Sequence, residues 1–94
     1  MNRISEILRK KRKEMGTRGY QVLVHLVGIR YHKEILQLNG KEQTLLVEQA
    51  GLIPSFKTEL VKGAKLGRHV KIHPDSEFAD CLDLANSSNK RNQE

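Results

Sequence analysis

The stretch Tyr20-Gln-Val-Leu-Val-His-Leu-Val-Gly-Ile-Arg-Tyr31 decides the fold, because it contains the longest nearly apolar run of the chain. In an extended strand, side chains alternate between two faces, and here both faces would be dominated by Val, Leu, Ile and Tyr. A strand that is apolar on both faces is typical of a sheet covered on two sides, or of the wall of a small barrel. Gly28 would mark a bulge or bend. The stretch therefore predicts a central, bent β-strand.

The segment before it predicts an amphipathic helix over residues 3–15. Its apolar side chains recur at three- and four-residue spacing, at Ile4, Ile7, Leu8 and Met15. Asn2 can cap the start of the helix, and Gly16 is well placed just past its end. A helix this short is marginal alone, so we expect its apolar stripe to dock on the rest of the domain.

Residues 33–50 fit two structures. The Asn39-Gly40 dipeptide between apolar runs favours a β-hairpin, because it supplies the positive φ angles of a type I′ turn. The alternative makes Asn39 the cap of a helix over residues 41–50, with Glu42 completing a capping box and Gly51 ending the helix. We take the hairpin as the prediction and keep the helix as the alternative.

The remaining elements complete an α+β prediction. Ser55 would cap a short helix over residues 55–62 that stops at Gly63, and residues 68–73 would form a second strand. A short C-terminal helix would follow Pro74 and pass through Phe78 and Leu82 to about Ala85. The expected fold is a small bent antiparallel sheet or partial barrel, with the amphipathic N-terminal helix packed on it. One domain would cover residues 1–85, and the polar residues 86–94 would be a disordered tail.

Size and composition narrow the class of protein. With 94 residues, 37% hydrophobic and 30% charged, the chain fits one small globular domain. Cys81 is the single cysteine, so no internal disulfide can form and a cytoplasmic location is expected. The apolar run is too short to span a membrane, and no apolar segment of a signal peptide follows the basic N-terminus.

Charge points to a polyanionic partner. Residues 1–20 carry seven Lys or Arg against two Glu, a net of +5, and Arg9-Lys-Lys-Arg-Lys13 are consecutive. Residues 51–73 carry five Lys or Arg against one Glu, a net of +4. Clustered cations bind phosphates by releasing counterions, so nucleic acid is the expected partner. The residues predicted to bind it are Arg3, Arg9, Lys10, Lys11, Arg12, Lys13, Arg18, Lys57, Lys62, Lys65, Arg68, His69, Lys71, His73 and, as a base-stacking residue, Tyr31.

Metal and catalytic sites have little support in the sequence. His69 and His73 on one strand would lie roughly 13 Å apart, too far to share one ion. His25 is better explained as a hydrogen-bonded core residue than as a general base, and Cys81 as a small core hydrophobe. No phosphate-loop spacing surrounds Gly63 to Gly67, so that stretch is interpreted as a flexible basic connector. We expect neither a metal nor a cofactor.

Two short segments resemble known families. His25-Leu-Val-Gly-Ile-Arg-Tyr-His32 resembles the opening strand of HIRAN domains, which implies a small barrel that binds single-stranded DNA ends. The Asn/Asp-rich segment that usually follows in that family is absent. Residues 44–70 resemble a helix-turn-helix followed by a wing, with Ala50-Gly51-Leu52 at the turn, although the apolar positions after the turn are shifted by one. Neither resemblance assigns the chain to a family.

The leading hypothesis is a non-enzymatic protein that binds nucleic acid, with single-stranded DNA or RNA as candidates. Three alternatives remain open. The first is a small interaction module, such as an inhibitor or assembly factor, with an acidic protein partner. The second is a winged-helix protein that reads duplex DNA. The third is a small metal-independent ribonuclease built on the basic loop Lys65 to His69. The sequence does not determine the oligomeric state.

Overall fold

The structure is a computed structural model that describes residues 2–82, and helices are the only regular secondary structure in this part of the chain. Its five helices are α1 (Arg3–Met15), α2 (Tyr20–Arg30), α3 (His32–Gln37), α4 (Gly40–Gln49) and α5 (Ser55–Leu66). The predicted α+β fold is therefore wrong, since residues 2–82 contain no strand and no sheet.

The central strand is replaced by the central helix α2. The buried side chains of this segment are Tyr20, Leu23, Val24, Val27 and Tyr31, which recur at three- and four-residue spacing. That spacing is the buried stripe of a helix. The alternating strand pattern and the helical stripe coexist here because nearly every residue is apolar. Burial against the other helices outweighs the weak helix preference of the valines.

Helix α5 packs closely along α2 at two glycines. A Cβ atom added to Gly28 would lie 2.5 Å from the Leu60 carbonyl oxygen and 2.7 Å from the Ala64 nitrogen. A Cβ atom on Gly63 would collide with the His25 carbonyl. Gly28 is thus neither a bulge nor a bend, and Gly63 does not end α5. Both glycines let two helix backbones approach each other.

The ambiguous segment adopts the helical alternative, and its capping box is formed. The Asn39 side chain accepts a hydrogen bond from the Glu42 amide at 2.8 Å, and the Glu42 carboxylate accepts one from the Asn39 amide at 2.9 Å. These two bonds satisfy free amides at the start of α4. The predicted hairpin is wrong because Asn39-Gly40 begins a helix instead of a turn between strands.

The N-terminal helix is confirmed. Asn2 caps it by accepting a hydrogen bond from the Ile4 amide at 2.7 Å, and Gly16 follows its last residue. Ile4 and Leu8 are buried in the core, and the Ser5 hydroxyl donates to the Leu46 carbonyl at 2.8 Å, which joins α1 to α4. The Tyr20 hydroxyl donates to the Leu8 carbonyl at 2.6 Å and joins α1 to α2.

The C-terminal elements differ from the prediction. Ser55 opens α5 without a side-chain cap, and the helix continues through the supposed connector to Leu66. Residues 68–73 form a turn and an irregular segment, and residues 74–82 form turns instead of a helix. This last segment, which we call the C-terminal strap, still buries Phe78 and Leu82 in the core. Ala85 and the tail 86–94 lie outside the described residues.

Candidate nucleic-acid interface

The run Arg9 to Lys13 is divided between the core and the solvent, because successive residues of a helix point in different directions. Within this run, the Arg12 side chain contacts aromatic rings of two other helices. Its guanidinium group lies over the Tyr20 ring at 5.0 Å and over the Phe56 ring at 5.5 Å. The two rings pack edge to face, with centroids 5.5 Å apart. Arg12 therefore joins α1, α2 and the start of α5, and it is a structural cation.

Lys11 is held by the protein itself as well. Its ammonium group lies 2.8 Å from the Glu14 carboxylate and 5.7 Å from the centre of the Phe78 ring of the strap. The hydrogen bond to Glu14 raises the pKa of Lys11 above its usual value and lowers the pKa of Glu14. A lysine with these two contacts is less available to a phosphate than a fully exposed one.

Arg3 and Lys10 share a shallow groove with carboxylates. This groove, of about 300 Å³, is lined by Arg3, Glu6, Ile7, Lys10, Lys11, Glu14 and Cys81. Its charges are nearly balanced, and burial raises the pKa of the Cys81 thiol, which keeps that group protonated and poorly nucleophilic. The groove is therefore a weak candidate for a polyanion or for chemistry at the cysteine.

Arg9 and Lys13 are the open part of the basic run. Both are exposed, and no ion pair to either side chain is formed within residues 2–82. Arg9 stands one helical turn before Arg12, whose guanidinium group lies over the Phe56 ring of α5. These two residues are the cations of α1 that are best placed for phosphate contact.

Helices α4 and α5 form a helix-turn-helix unit. The turn covers residues 50–54, and Gly51 adopts a φ of +77°, a left-handed conformation that suits glycine. The Leu52 amide donates to the Val47 carbonyl at 3.1 Å, and Leu52 is buried. The turn is thus anchored to the core, and this fixes where α5 begins.

The two faces of α5 have different roles. The inner face packs Leu60, Gly63 and Ala64 against the core. The outer face is exposed and carries Ser55, Thr58, Lys62 and Lys65. Thr58, Lys62 and Lys65 follow at spacings of four and three residues, so they point in nearly the same direction. A helix held by its inner face that presents hydroxyl and ammonium groups outward is suited to lie in a groove of nucleic acid.

Residues 1–73 match a family described as HTH-like domain. The chain belongs to the HTH-like domain family. HTH-like domains are typically non-enzymatic DNA-binding folds, which agrees at this coarse level with the predicted nucleic-acid binding. No curated protein and no solved structure matches the chain. The family match ends at His73, so the C-terminal strap that buries Phe78 and Leu82 lies beyond it.

The helix-turn-helix part of the sequence resemblance agrees with this assignment, whereas the wing does not. Residues 68–73 contain no strand, so the segment after α5 forms no wing in the described part of the chain. The resemblance of His25 to His32 to a barrel strand is also overturned, since these residues lie in α2 and at the start of α3.

Beside the outer face of α5, Glu59 forms a polar network in this HTH-like domain. Its carboxylate contacts the His25 Nε2 atom at 2.7 Å, the Gln21 amide at 3.1 Å and the Lys62 ammonium at 3.5 Å. The hydrogen bond from His25 contributes most to lowering the pKa of Glu59 below its usual range. His25 is hydrogen-bonded as predicted, but 36% of its side chain is exposed, so it is half-buried and lies outside the core. The network holds α2 and α5 together and draws Lys62 toward one edge of α5.

The other predicted site residues are scattered. Tyr31 is buried, with 7% exposure, so its predicted role as an exposed stacking residue is wrong. Lys57 is half-buried, with its ammonium group beside the start of α4. Arg18 is exposed in the turn between α1 and α2. The four predicted site residues that follow α5 are all exposed: Arg68, His69, Lys71 and His73.

Sequence reasoning missed Ser55 and Thr58 on the outer face of α5. A signal for them was present, because the polar positions 55, 58, 62 and 65 recur at helical spacing opposite Leu60 and Ala64. Ending the helix at Gly63 hid this pattern. Within residues 2–82, no three His, Cys, Asp or Glu side chains are grouped as metal ligands. None of the helices there is long and apolar enough to cross a membrane.

Proposed function

We propose that this protein binds duplex DNA through the α4–α5 unit, with the outer face of α5 in the major groove. Ser55 and Thr58 lie in the first turns of α5, the part of a recognition helix that reaches base edges. Lys62 and Lys65 lie farther along the same face, where they would contact phosphates. Arg9 and Lys13, two exposed cations of α1, would add contacts to the flanking backbone.

The observation that carries the proposal is the division of α5 into a fixed inner face and an exposed polar outer face. The inner face is locked by the close approach of Gly28 and Gly63. The outer face carries two hydroxyl groups and two ammonium groups, and the carboxylate at its edge, Glu59, lies 3.5 Å from the Lys62 ammonium. Because the helix is anchored at the turn as well, its outer face is presented in one orientation, as readout of a groove requires.

Duplex DNA is favoured over single strands because this HTH-like domain lacks an exposed aromatic platform. Single-strand binding without sequence preference relies on bases that stack on aromatic rings. The four aromatic residues are Tyr20, Tyr31, Phe56 and Phe78, and none of them is exposed. The protein would therefore bind single strands through charge alone.

The test compares two variants that remove the same charge. Lys62→Ala/Lys65→Ala changes the proposed interface, and Lys33→Ala/Lys71→Ala is the control, because Lys33 and Lys71 lie away from the outer face of α5. Binding to labelled duplex and single-stranded oligonucleotides is measured across a salt series. Each lost phosphate contact lowers the slope of log affinity against log salt by about 0.9, so the first variant should lose a slope of about 2.

The control should keep the wild-type slope and an affinity within about threefold of wild type. Equal losses in the two variants would mean that binding depends on net charge alone, which contradicts an interface on α5. Absence of binding at low salt would overturn the proposed function altogether. Tighter binding to single strands than to duplex would contradict recognition of a duplex groove.

A further inference from the structure

A second groove lies on the other side of the protein, where α2 and α3 meet the segment after α5. It has a volume of about 540 Å³ and is lined by Ile29, Arg30, His32, Lys33, Glu34, Gly67, Val70, Lys71 and Ile72. This volume falls within the usual size of binding pockets, roughly 300–1,000 Å³. The nucleic-acid proposal does not use this groove, because none of its lining residues belongs to the outer face of α5.

The floor of the groove is aliphatic and incompletely covered. Val70 is 43% exposed, and Ile29 and Ile72 are half-buried. The side chains of Ile29 and of the more exposed Val22 lie on the same outer side of α2, seven residues apart. Helix α2 therefore carries apolar side chains outside its buried stripe, at Val22 and Ile29.

The rim of the groove is cationic. Arg30, Lys33 and Lys71 face a single carboxylate, Glu34, which leaves an excess of two positive charges. Arg30 is partly used, because its Nε atom donates to the Leu82 carbonyl of the strap at 2.8 Å. Lys33 and Lys71 are exposed, and neither has an ion pair or side-chain hydrogen bond within residues 2–82. Two cations are therefore available above an aliphatic floor.

We infer that this groove docks a short acidic segment of a protein partner, with an aliphatic or aromatic side chain of that segment seated on Ile29, Val70 and Ile72. Carboxylates of the segment pair with Lys33 and Lys71. The aliphatic floor shields an apolar side chain of the bound segment from water. The surrounding cations favour acidic partners and increase the rate at which they associate with the protein.

The same features argue against nucleic acid as the occupant. Phosphates need cations but gain nothing from an aliphatic floor, and bases stack on aromatic rings, which this floor lacks. An acidic peptide with an apolar residue uses both features of the groove.

The test selects peptides from a display library of random short sequences on the immobilised full-length protein. Peptides that also bind Lys33→Glu/Lys71→Glu are removed by subtraction. Enriched peptides should each contain at least two Asp or Glu residues and one large apolar residue. Labelled copies should bind the Lys33→Glu/Lys71→Glu variant about tenfold more weakly than wild type, because two exposed charge pairs are lost and replaced by repulsion. Val70→Ser should weaken binding about threefold, because part of the floor becomes polar.

The control variant is Lys62→Glu/Lys65→Glu, which changes the net charge by the same amount on α5. It should leave peptide affinity within about threefold of wild type, and circular dichroism should show wild-type helix content in each variant. Three results would each overturn the inference: no enrichment after subtraction, enriched peptides without acidic residues, or equal weakening by the two charge reversals. An oligonucleotide whose binding is lost only in Lys33→Glu/Lys71→Glu would assign the groove to nucleic acid instead.

Discussion

The close packing of α2 on α5 predicts that Gly28→Ala destabilises the protein, although alanine favours a helix more than glycine does. A methyl group at Gly28 would lie 2.5 Å from the Leu60 carbonyl oxygen, where ordinary contacts begin at 3.4 Å. The two helices would therefore have to separate by roughly 0.9 Å at this point. Both atoms nearest to the new methyl group belong to the α5 backbone, so no side-chain rotation can relieve the clash.

The size of the effect follows from two opposing terms. Alanine in the middle of a helix stabilises by about 1 kcal/mol relative to glycine. Overpacking a rigid interface costs typically 1–3 kcal/mol, and a gap of about this width also weakens neighbouring contacts by a quarter to a half. With the weakened neighbouring contacts included, we expect a net loss of about 1–2 kcal/mol in the free energy of unfolding. For a domain of this size, such a loss lowers the melting temperature by roughly 4–16 °C.

Thermal and urea unfolding, followed by far-ultraviolet circular dichroism, measures this effect. Gly40→Ala is the matched control, because a methyl group there meets only the flexible end of Lys57 at 3.5 Å. The control should be neutral or slightly stabilising. A Gly28→Ala protein as stable as Gly40→Ala would refute the close packing, and with it the reason why α5 presents a fixed outer face.

Three further perturbations test other parts of the fold. Tyr20→Phe removes a buried hydrogen bond to the α1 backbone and should cost about 1–2 kcal/mol in unfolding experiments near neutral pH. Burial raises the pKa of Tyr20 to about 12, so the stability due to its neutral form is complete below about pH 10 and is lost between pH 10 and 12. Alkaline unfolding should therefore show a smaller loss of stability for Tyr20→Phe than for wild type. The pKa of Glu59 is lowered, so its contribution to the free energy of unfolding is present above about pH 4.5 and disappears as the pH falls through the lowered pKa. On acidification, Glu59→Gln should therefore lose less stability than wild type. Leu82→Ala should lower the free energy of unfolding by about 2–5 kcal/mol, because Leu82 is fully buried. Val22→Ala, at an exposed position, should lower it by less than about 0.5 kcal/mol. Equal effects of the two substitutions would show that the strap is not part of the core.

The helix that the sequence predicts correctly, α1, has local signals at both ends. In α1, Asn2 and Gly16 bracket an apolar stripe, so local interactions and packing agree. In α4, the capping box is complete in the sequence, but the Asn39-Gly40 dipeptide is equally typical of hairpin turns. Only the neighbouring α1 and α5, which bury Leu46 and Val47, decide between the two.

Helix α2 could not be assigned from its own sequence, because its apolar residues satisfy both periodicities. The deciding information lies elsewhere in the chain, in Gly63 and Gly67 of the segment that packs against it. A glycine that permits close helix packing looks the same in a sequence as one that ends a helix. The C-terminal end of α5 was missed for this reason, because Gly63 packs against His25 inside the helix.

The candidate interface was predictable in its charge but not in its geometry. Counting cations identified a polyanion as the expected partner, yet Arg12 is used to join helices and Lys11 is paired with Glu14. Which cations remain open depends on the helix face on which each one lies. The hydroxyl groups of Ser55 and Thr58 carry no charge, so a count of cations could not find them.

The central claim is that the outer face of α5 contacts nucleic acid. The most direct measurement is a two-dimensional ¹H–¹⁵N NMR titration of the full chain with a mixed-sequence DNA duplex. The account predicts that shift changes concentrate at Thr58, Lys62 and Lys65, with weaker changes at Arg9 and Lys13. Shift changes confined to the groove around Lys33, or spread evenly over every exposed cation, would contradict it.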